Sequence, residues 1–188
     1  MISALIDEAD TIRTEVGFEN SQSITVFLVE NDSNHGKQLE FVREGDTAIG
    51  QWTKLVSFRY RLPSIGNDPK KVAVGMAQRV RASNPKALAR VEINERTSEA
   101  ILDYLTWPPD IKFLEFNVFR YAKSADGQAV MSLQLGYRFT DMSAPGIEQF
   151  RKIRASWIDH AAAFEMSSEA LASPRVQVVL NSLCSVAP

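Results

Sequence analysis

The sequence has 188 residues, of which 45% are hydrophobic, 9% aromatic and 23% charged. These proportions are typical of a soluble globular protein and exclude collagen-like and Pro/Gly-rich disordered chains. Twenty-one Lys and Arg against 23 Asp and Glu give a net charge of -2, so no global positive field favours nucleic acid as a partner. We expect a single domain over residues 1–188.

The first half of the chain predicts three strands followed by a helix. β-Branched and aromatic residues fill 23–30, and apolar side chains on both faces predict an interior strand. A short strand follows over 39–43. Apolar and polar residues alternate over 52–62, which is typical of a strand with one solvent-exposed face. Asp68 before Pro69 predicts the start of an amphipathic helix that ends at Asn84 and Pro85.

The second half predicts four strands and then two helices. Strands over 87–93 and 98–107 form one hairpin, and strands over 111–122 and 129–139 flank an Asp-Gly pair, the strongest hairpin signal in the chain. After Pro145 the apolar period becomes helical, with Ile147, Trp157 and Phe164 on one side, and a last helix begins near Ser173 and Pro174.

Strand alternation also predicts which side chains are buried. In the last strand Leu133 and Leu135 face the core, while Ser132, Gln134 and Arg138 face outward. The same reasoning assigns eight side chains to one core: Trp52, Phe58, Tyr60, Phe113, Phe119, Leu133, Leu135 and Tyr137. The order of elements predicts an α+β fold, a largely antiparallel sheet of about six strands with helices packed on its faces.

This order of elements resembles the PsbP-like or Mog-like fold. The stretches Phe-Val-Arg-Glu-Gly-Asp at 41–46 and Gln-Trp-Thr-Lys-Leu-Val at 51–56 are similar to segments of small bacterial proteins of unassigned function. The resemblance implies a bacterial assembly factor, chaperone or accessory subunit, which binds and does not catalyse. It leaves two compartments open, the cytoplasm or the periplasm after removal of a signal peptide.

Several chemistries lack the residues that they need. A catalytic triad requires a histidine beside its nucleophile, and the two histidines lie in a polar turn, His35, and on a helix, His160. Structural zinc requires about four Cys or His ligands, and Cys184 is the lone cysteine. No glycine-rich nucleotide motif occurs, and no stretch reaches about 18 apolar residues. We therefore expect no metal, no cofactor, no membrane span and no catalytic residue.

Arginines interleaved with aromatic residues form the most suggestive pattern. Arg59 and Arg61 flank Tyr60, and two more predicted strands carry Arg120 and Arg138. If the strands adjoin, these four arginines form a basic band that binds an acidic partner. The alternative is that they pair with Glu92, Asp103 and Glu115 within the protein.

Two functions follow as hypotheses. The first is a non-catalytic accessory protein that holds a protein partner through a sheet face or a helix edge. The second is a small-ligand-binding protein or hydrolase whose site combines carboxylates and arginines from different strands. An exposed apolar patch favours the first, and a concave pocket with paired carboxyl groups favours the second.

Overall fold

A computed structural model describes residues 24–32, 36–43, 52–61, 67–124, 127, 129–164 and 166, and for 24–32, 36–43, 60 and 61 it describes the backbone alone. This part of the chain forms seven strands and two helices. The strands are β1 (Ile24–Asp32), β2 (Gly36–Arg43), β3 (Lys54–Arg61), β4 (Leu88–Asn94), β5 (Glu99–Thr106), β6 (Leu114–Lys123) and β7 (Val130–Phe139). The helices are α1 (Pro69–Ser83) and α2 (Ala144–Ala163).

The seven strands form one antiparallel sheet in the order β1-β2-β3-β7-β6-β5-β4. The predicted α+β fold is confirmed, with seven strands in place of about six. The prediction that the first strand is interior was wrong, because β1 stands at one end of this order. Apolar residues on both faces of a strand indicate that both faces are covered. They do not indicate whether the strand has one neighbouring strand or two. The single domain over 1–188 stays a prediction.

Helix α1 covers one face of the sheet, which we call the α1 face. Asp68 caps the helix as predicted, since its Oδ1 accepts from the backbone N–H of Lys70 at 3.0 Å and of Lys71 at 3.4 Å. The buried side chains that α1 contributes are small, and three of the six that the strands contribute are aromatic. This core consists of Val72, Ala73, Ala77, Ala100, Leu102, Tyr104, Phe119, Tyr121 and Val130. Small helix residues bring α1 close to the sheet.

Helix α2 covers the opposite face, which we call the α2 face. Its N-cap is Ser143, whose Oγ accepts from the backbone N–H of Gly146 at 3.2 Å. The core on this face is larger and more aromatic, and it consists of Val56, Phe58, Phe116, Val118, Leu133, Leu135, Phe139, Phe150, Ile153, Trp157, Ala161 and Phe164. Ile147 was predicted to face this core, yet it lies in the first turn of α2 and is 38% exposed. The last predicted helix and Cys184 lie outside the described residues.

The single predicted core is two cores, one on each face. Phe58, Leu133 and Leu135 belong to the α2 face, whereas Phe119 belongs to the α1 face. Trp52 and Phe113 join neither core and instead contact an arginine, as described below. Tyr137 packs against the α2 core, and the side chain of Tyr60 lies outside the described residues.

Replacing Phe58 with alanine tests the α2 core at its β3 margin. Phe58 is 8% exposed, and its ring centroid lies 5.6 Å from that of Phe164 beyond the end of α2. We expect a loss of about 3 kcal/mol in the free energy of unfolding, measured by urea titration. A loss below about 1 kcal/mol would remove Phe58 from the core.

Candidate functional site

The four predicted arginines do not form one band. Arg59 is paired with Ser132 in the register of β3 and β7. Ser132 and Arg138 alternate along β7 with Leu133, which faces α2, so Arg59 and Arg138 lie on the α1 face. Arg120 is paired with Leu133 and lies on the α2 face. The side chain of Arg61 is outside the described part of the chain. The prediction of one basic face was wrong for Arg120, while binding of an acidic partner by the others stays a prediction.

Arg138 is held in an aromatic and acidic environment. Its Nε donates to Glu115 Oε2 at 3.0 Å, and its guanidinium carbon lies 4.1 Å from the centroid of the Trp52 ring and 4.7 Å from that of Phe113. Its side chain is only 15% exposed. Such stacking, together with an ion pair, fixes the guanidinium in place.

Arg120 closes the far end of α2. Its Nη2 donates to Glu99 Oε2 at 2.9 Å, and its Nη1 donates to the carbonyls of Ala161 at 3.3 Å, Ala162 at 2.7 Å and Phe164. The last carbonyls of a helix lack partners within the helix and carry partial negative charge. Arg120 therefore acts as a cationic cap that ties α2 to β6.

Of the three candidate carboxylates, Glu92 and Asp103 both pair with Arg90 on the α2 face, whereas Glu115 lies apart from them. Asp103 is buried on the α2 face, where Arg90 Nε donates to it at 2.9 Å and Arg154 from α2 donates to its other oxygen. Glu115 lies on the opposite face with Arg138. Arg90 is the register partner of Asp103 across β4 and β5, so this ion pair joins neighbouring strands. Sequence patterns missed Arg154, because contacts between a helix and a strand leave no local signal.

A row of buried polar side chains crosses the α1 face beside Arg138. Asn117 Nδ2 donates to Glu115 Oε1 at 3.0 Å, and Gln134 Nε2 donates to Asn117 Oδ1 at 2.8 Å. Ser57 and Ser132 continue the row and are fully buried. Three atoms of it have no hydrogen-bond partner among the described residues: the two serine Oγ atoms and Gln134 Oε1. The prediction that Ser132 and Gln134 face water was wrong, because both faces of β7 are covered.

Tyr104 lies where this row meets the α1 core. Burial raises the pKa of its phenol, the charges of Glu115 and Tyr121 raise it further, and Arg59 opposes them. The folded protein therefore keeps a proton that the unfolded chain releases above about pH 10. Stability is intact below that pH and is lost as the pH rises beyond it. We expect urea midpoints to fall as the pH rises above about 10, and to fall less in Tyr104→Phe.

Exposed apolar side chains gather beyond one end of the sheet. β4 begins there, β5 ends there, and the β5–β6 loop and the start of α2 lie there too. Of the five large apolar side chains that are exposed among the described residues, four lie at this end: Leu88 (68% exposed), Ile111 (56%), Met142 (39%) and Ile147 (38%). We call these four residues the apolar end. The fifth, Val74, lies on α1.

Ile111 is the most unusual member of the apolar end. Its φ is 48°, in the left-handed region that β-branched residues avoid. The turn is held by a hydrogen bond from its N–H to the Pro108 carbonyl at 3.0 Å and by an ion pair between Asp110 and Lys112 at 2.8 Å. The chain thus keeps a bulky apolar side chain in water at a position that glycine would occupy without strain.

Replacing Ile111 with glycine is expected to stabilise the protein. The substitution removes the left-handed strain and an apolar side chain that is 56% exposed. We expect a gain of about 1 kcal/mol, reduced somewhat by the larger entropy of an unfolded glycine. Thermal melting against wild type measures it, and a lower melting temperature would contradict the assignment of strain.

Among the described residues, neither helix combines the length with the apolar character that a membrane span requires. No group of three or more His, Cys, Asp or Glu side chains is arranged to hold a metal ion in the same residues. His160 packs along α2, with its Nδ1 2.6 Å from the Ser156 carbonyl oxygen.

Comparison with known proteins gives a family and a structural similarity. One protein-family model matches residues 25–166, most of the chain. The chain belongs to this family. No curated protein matches it significantly. Among solved structures it is similar to a mutant of Protein Mog1, with 12% identity, a TM-score of 0.42 and coverage of 89% of this chain and 94% of that one. The resemblance to PsbP-like proteins stays a prediction.

Proposed function

We propose that the protein is a non-catalytic accessory protein that binds a protein partner through the apolar end of its sheet. The observation that carries this proposal is the exposure of Leu88 and Ile111 at the same end as Met142 and Ile147. Apolar side chains gathered on one surface of a soluble protein are typical of an interaction site. The strain at Ile111 adds weight, since strained residues concentrate at functional positions.

The charges around the apolar end bear on the kind of partner. Asp110 and Lys112 flank Ile111, and Glu148 and Arg151 form an ion pair in the first turns of α2. Both signs are present at similar density, so the rim attracts neither an anionic lipid surface nor a strongly acidic protein. A partner segment with an apolar centre and a polar margin fits this surface best.

A photo-crosslinking residue at Lys112 tests the proposal in the native organism. We expect one discrete crosslinked protein, lost in Leu88→Ser with Ile111→Gly and kept in the matched control Val74→Ser, which removes an exposed apolar side chain from α1. Because Ile111→Gly is expected to stabilise the fold, loss of the crosslink cannot be ascribed to unfolding. A crosslink that persists in the double variant overturns the proposal, and so does crosslinking to lipid alone.

A second candidate function is the binding of a small polar molecule on the α1 face. The observation that favours it is the set of three buried atoms without partners in the described part of the chain, on Ser57, Ser132 and Gln134. Buried polar atoms are costly unless a partner satisfies them. A molecule that donates and accepts hydrogen bonds would satisfy all three. Native mass spectrometry of the purified chain is expected to show a bound small molecule that is absent from Ser132→Ala, and the mass of the chain alone would contradict this function.

A further inference from the structure

We propose that β4 pairs with β4 of a second copy of this chain, so that two sheets join across a two-fold axis through Val91. The strand order ends at β4, and among the described residues β5 is its one strand neighbour. Apart from the Ala89 carbonyl, which accepts from Arg81 and would share that oxygen with the second copy, an edge of this kind presents a row of backbone donors and acceptors to another strand. This inference is independent of the apolar end and of the function proposed for it.

The backbone groups at the open edge can be assigned by parity. Arg81 from α1 donates to the carbonyl of Ala89 at 2.6 Å. Alternate residues of a strand direct their backbone groups to the same side, so Ala89, Val91 and Ile93 line the outer edge, while Leu88 and Arg90 bond toward β5. Val91 therefore stands at the centre of three outward-facing residues, where a two-fold axis gives a hydrogen-bonded pair.

The charges of β4 complement themselves about the same axis. An antiparallel pairing centred on Val91 places Arg90 of each copy opposite Glu92 of the other. Two opposite-charge pairs form by symmetry, and such cross-strand pairs stabilise a sheet. Ala89 then faces Ile93 of the other copy, so apolar residues meet apolar residues on the α1 face. A two-fold axis through any other residue of β4 would not place Arg90 of each copy opposite Glu92 of the other.

The side chains already stand where this pairing needs them. Arg90 is held by Asp103 through its Nε at 2.9 Å, and its Nη1 lies 3.1 Å from Glu92. Both side chains are about half exposed, 52% for Arg90 and 58% for Glu92. A second β4 would thus complete an alternating ring of four charges. The positions are set before association, which lowers the entropy lost on binding.

Cysteine substitution tests the register directly. In the proposed pair the two Cα atoms at position 91 lie about 5.5 Å apart, within the range that a disulfide spans. With Cys184 replaced by serine, Val91→Cys is expected to give a covalent dimer under mild oxidation. The matched control Ala89→Cys places its two cysteines about 14 Å apart and is expected to stay monomeric. Equal crosslinking at both positions, or none at Val91→Cys, overturns the proposed pairing.

A charge reversal tests the interface without cysteine chemistry. Glu92→Lys replaces two attractive pairs with two repulsive ones, so the dimer dissociation constant should rise roughly tenfold or more. Glu95→Lys makes the same change at an exposed turn residue outside the pairing and is expected to leave the constant unchanged. Sedimentation equilibrium of wild type and both variants measures this. A wild type that is monomeric at all concentrations, or equal constants for the two variants, refutes the proposal.

Discussion

Replacing Trp157 with alanine is expected to lower the free energy of unfolding by about 5 kcal/mol, the upper end for a buried aromatic side chain. Trp157 is 1% exposed and lies at the centre of the α2 face, with ring centroids 6.5 Å from Phe116 and 5.6 Å from Tyr137. Its loss would leave a cavity between α2 and the two strands β6 and β7. Urea unfolding followed by circular dichroism gives the difference.

Trp157→Phe is the matched control for this cavity. The indole Nε1 is buried and has no hydrogen-bond partner in the part of the chain that the structure describes, so the smaller aromatic ring removes an unsatisfied donor while it keeps most of the packing. We expect less than half of the loss seen in Trp157→Ala. If alanine costs no more than phenylalanine, α2 does not depend on this side chain.

Replacing Arg120 with alanine is the second large effect, an expected loss of about 3 kcal/mol. The substitution leaves Glu99, 26% exposed, without its cation, and removes the donor to the last carbonyls of α2. Each group that stays buried without a partner adds a desolvation cost. The denaturant midpoint is expected to fall accordingly.

Arg151→Ala provides the comparison for Arg120→Ala. Arg151 lies on α2, the helix that Arg120 caps from β6. It pairs with Glu148 at 3.4 Å and its side chain is 73% exposed, so its removal should change the free energy of unfolding by less than about 0.5 kcal/mol. Hydrogen exchange locates the effect, because Arg120→Ala should release protection first at the last turn of α2. Equal losses in the two variants would contradict the capping role.

Alternation along a strand predicts which residues share a face of that strand and little about neighbouring strands. It places Phe58, Leu133 and Leu135 together correctly, since their register pairs Phe58 with Leu133. It cannot relate Arg120 to Arg138, because the relative parity of two strands depends on a register that one sequence does not reveal. The four arginines were therefore grouped on one face although the sheet separates them.

The polar row on the α1 face shows a second limit. Ser132 and Gln134 have the alternation of a strand with one solvent-exposed face, yet both side chains are buried, as are Leu133 and Leu135 on the opposite face of β7. Polarity predicts exposure only where water reaches the position. The left-handed conformation of Ile111 was not predicted either, since sequence rules assign that conformation to glycine or asparagine.

The position of β7 at the middle of the sheet has a consequence for synthesis. Of the strands that the structure describes, β7 is the last to leave the ribosome, and it pairs with both β3 and β6. Until residue 139 emerges, two separate groups of strands each present an unpaired inner edge, which is the kind of surface on which nascent chains aggregate. Folding that waits for a distant strand is slow because the closing loop is long. Ribosome stalling before β7 should therefore yield chains bound to chaperones, and stalling after α2 should release them.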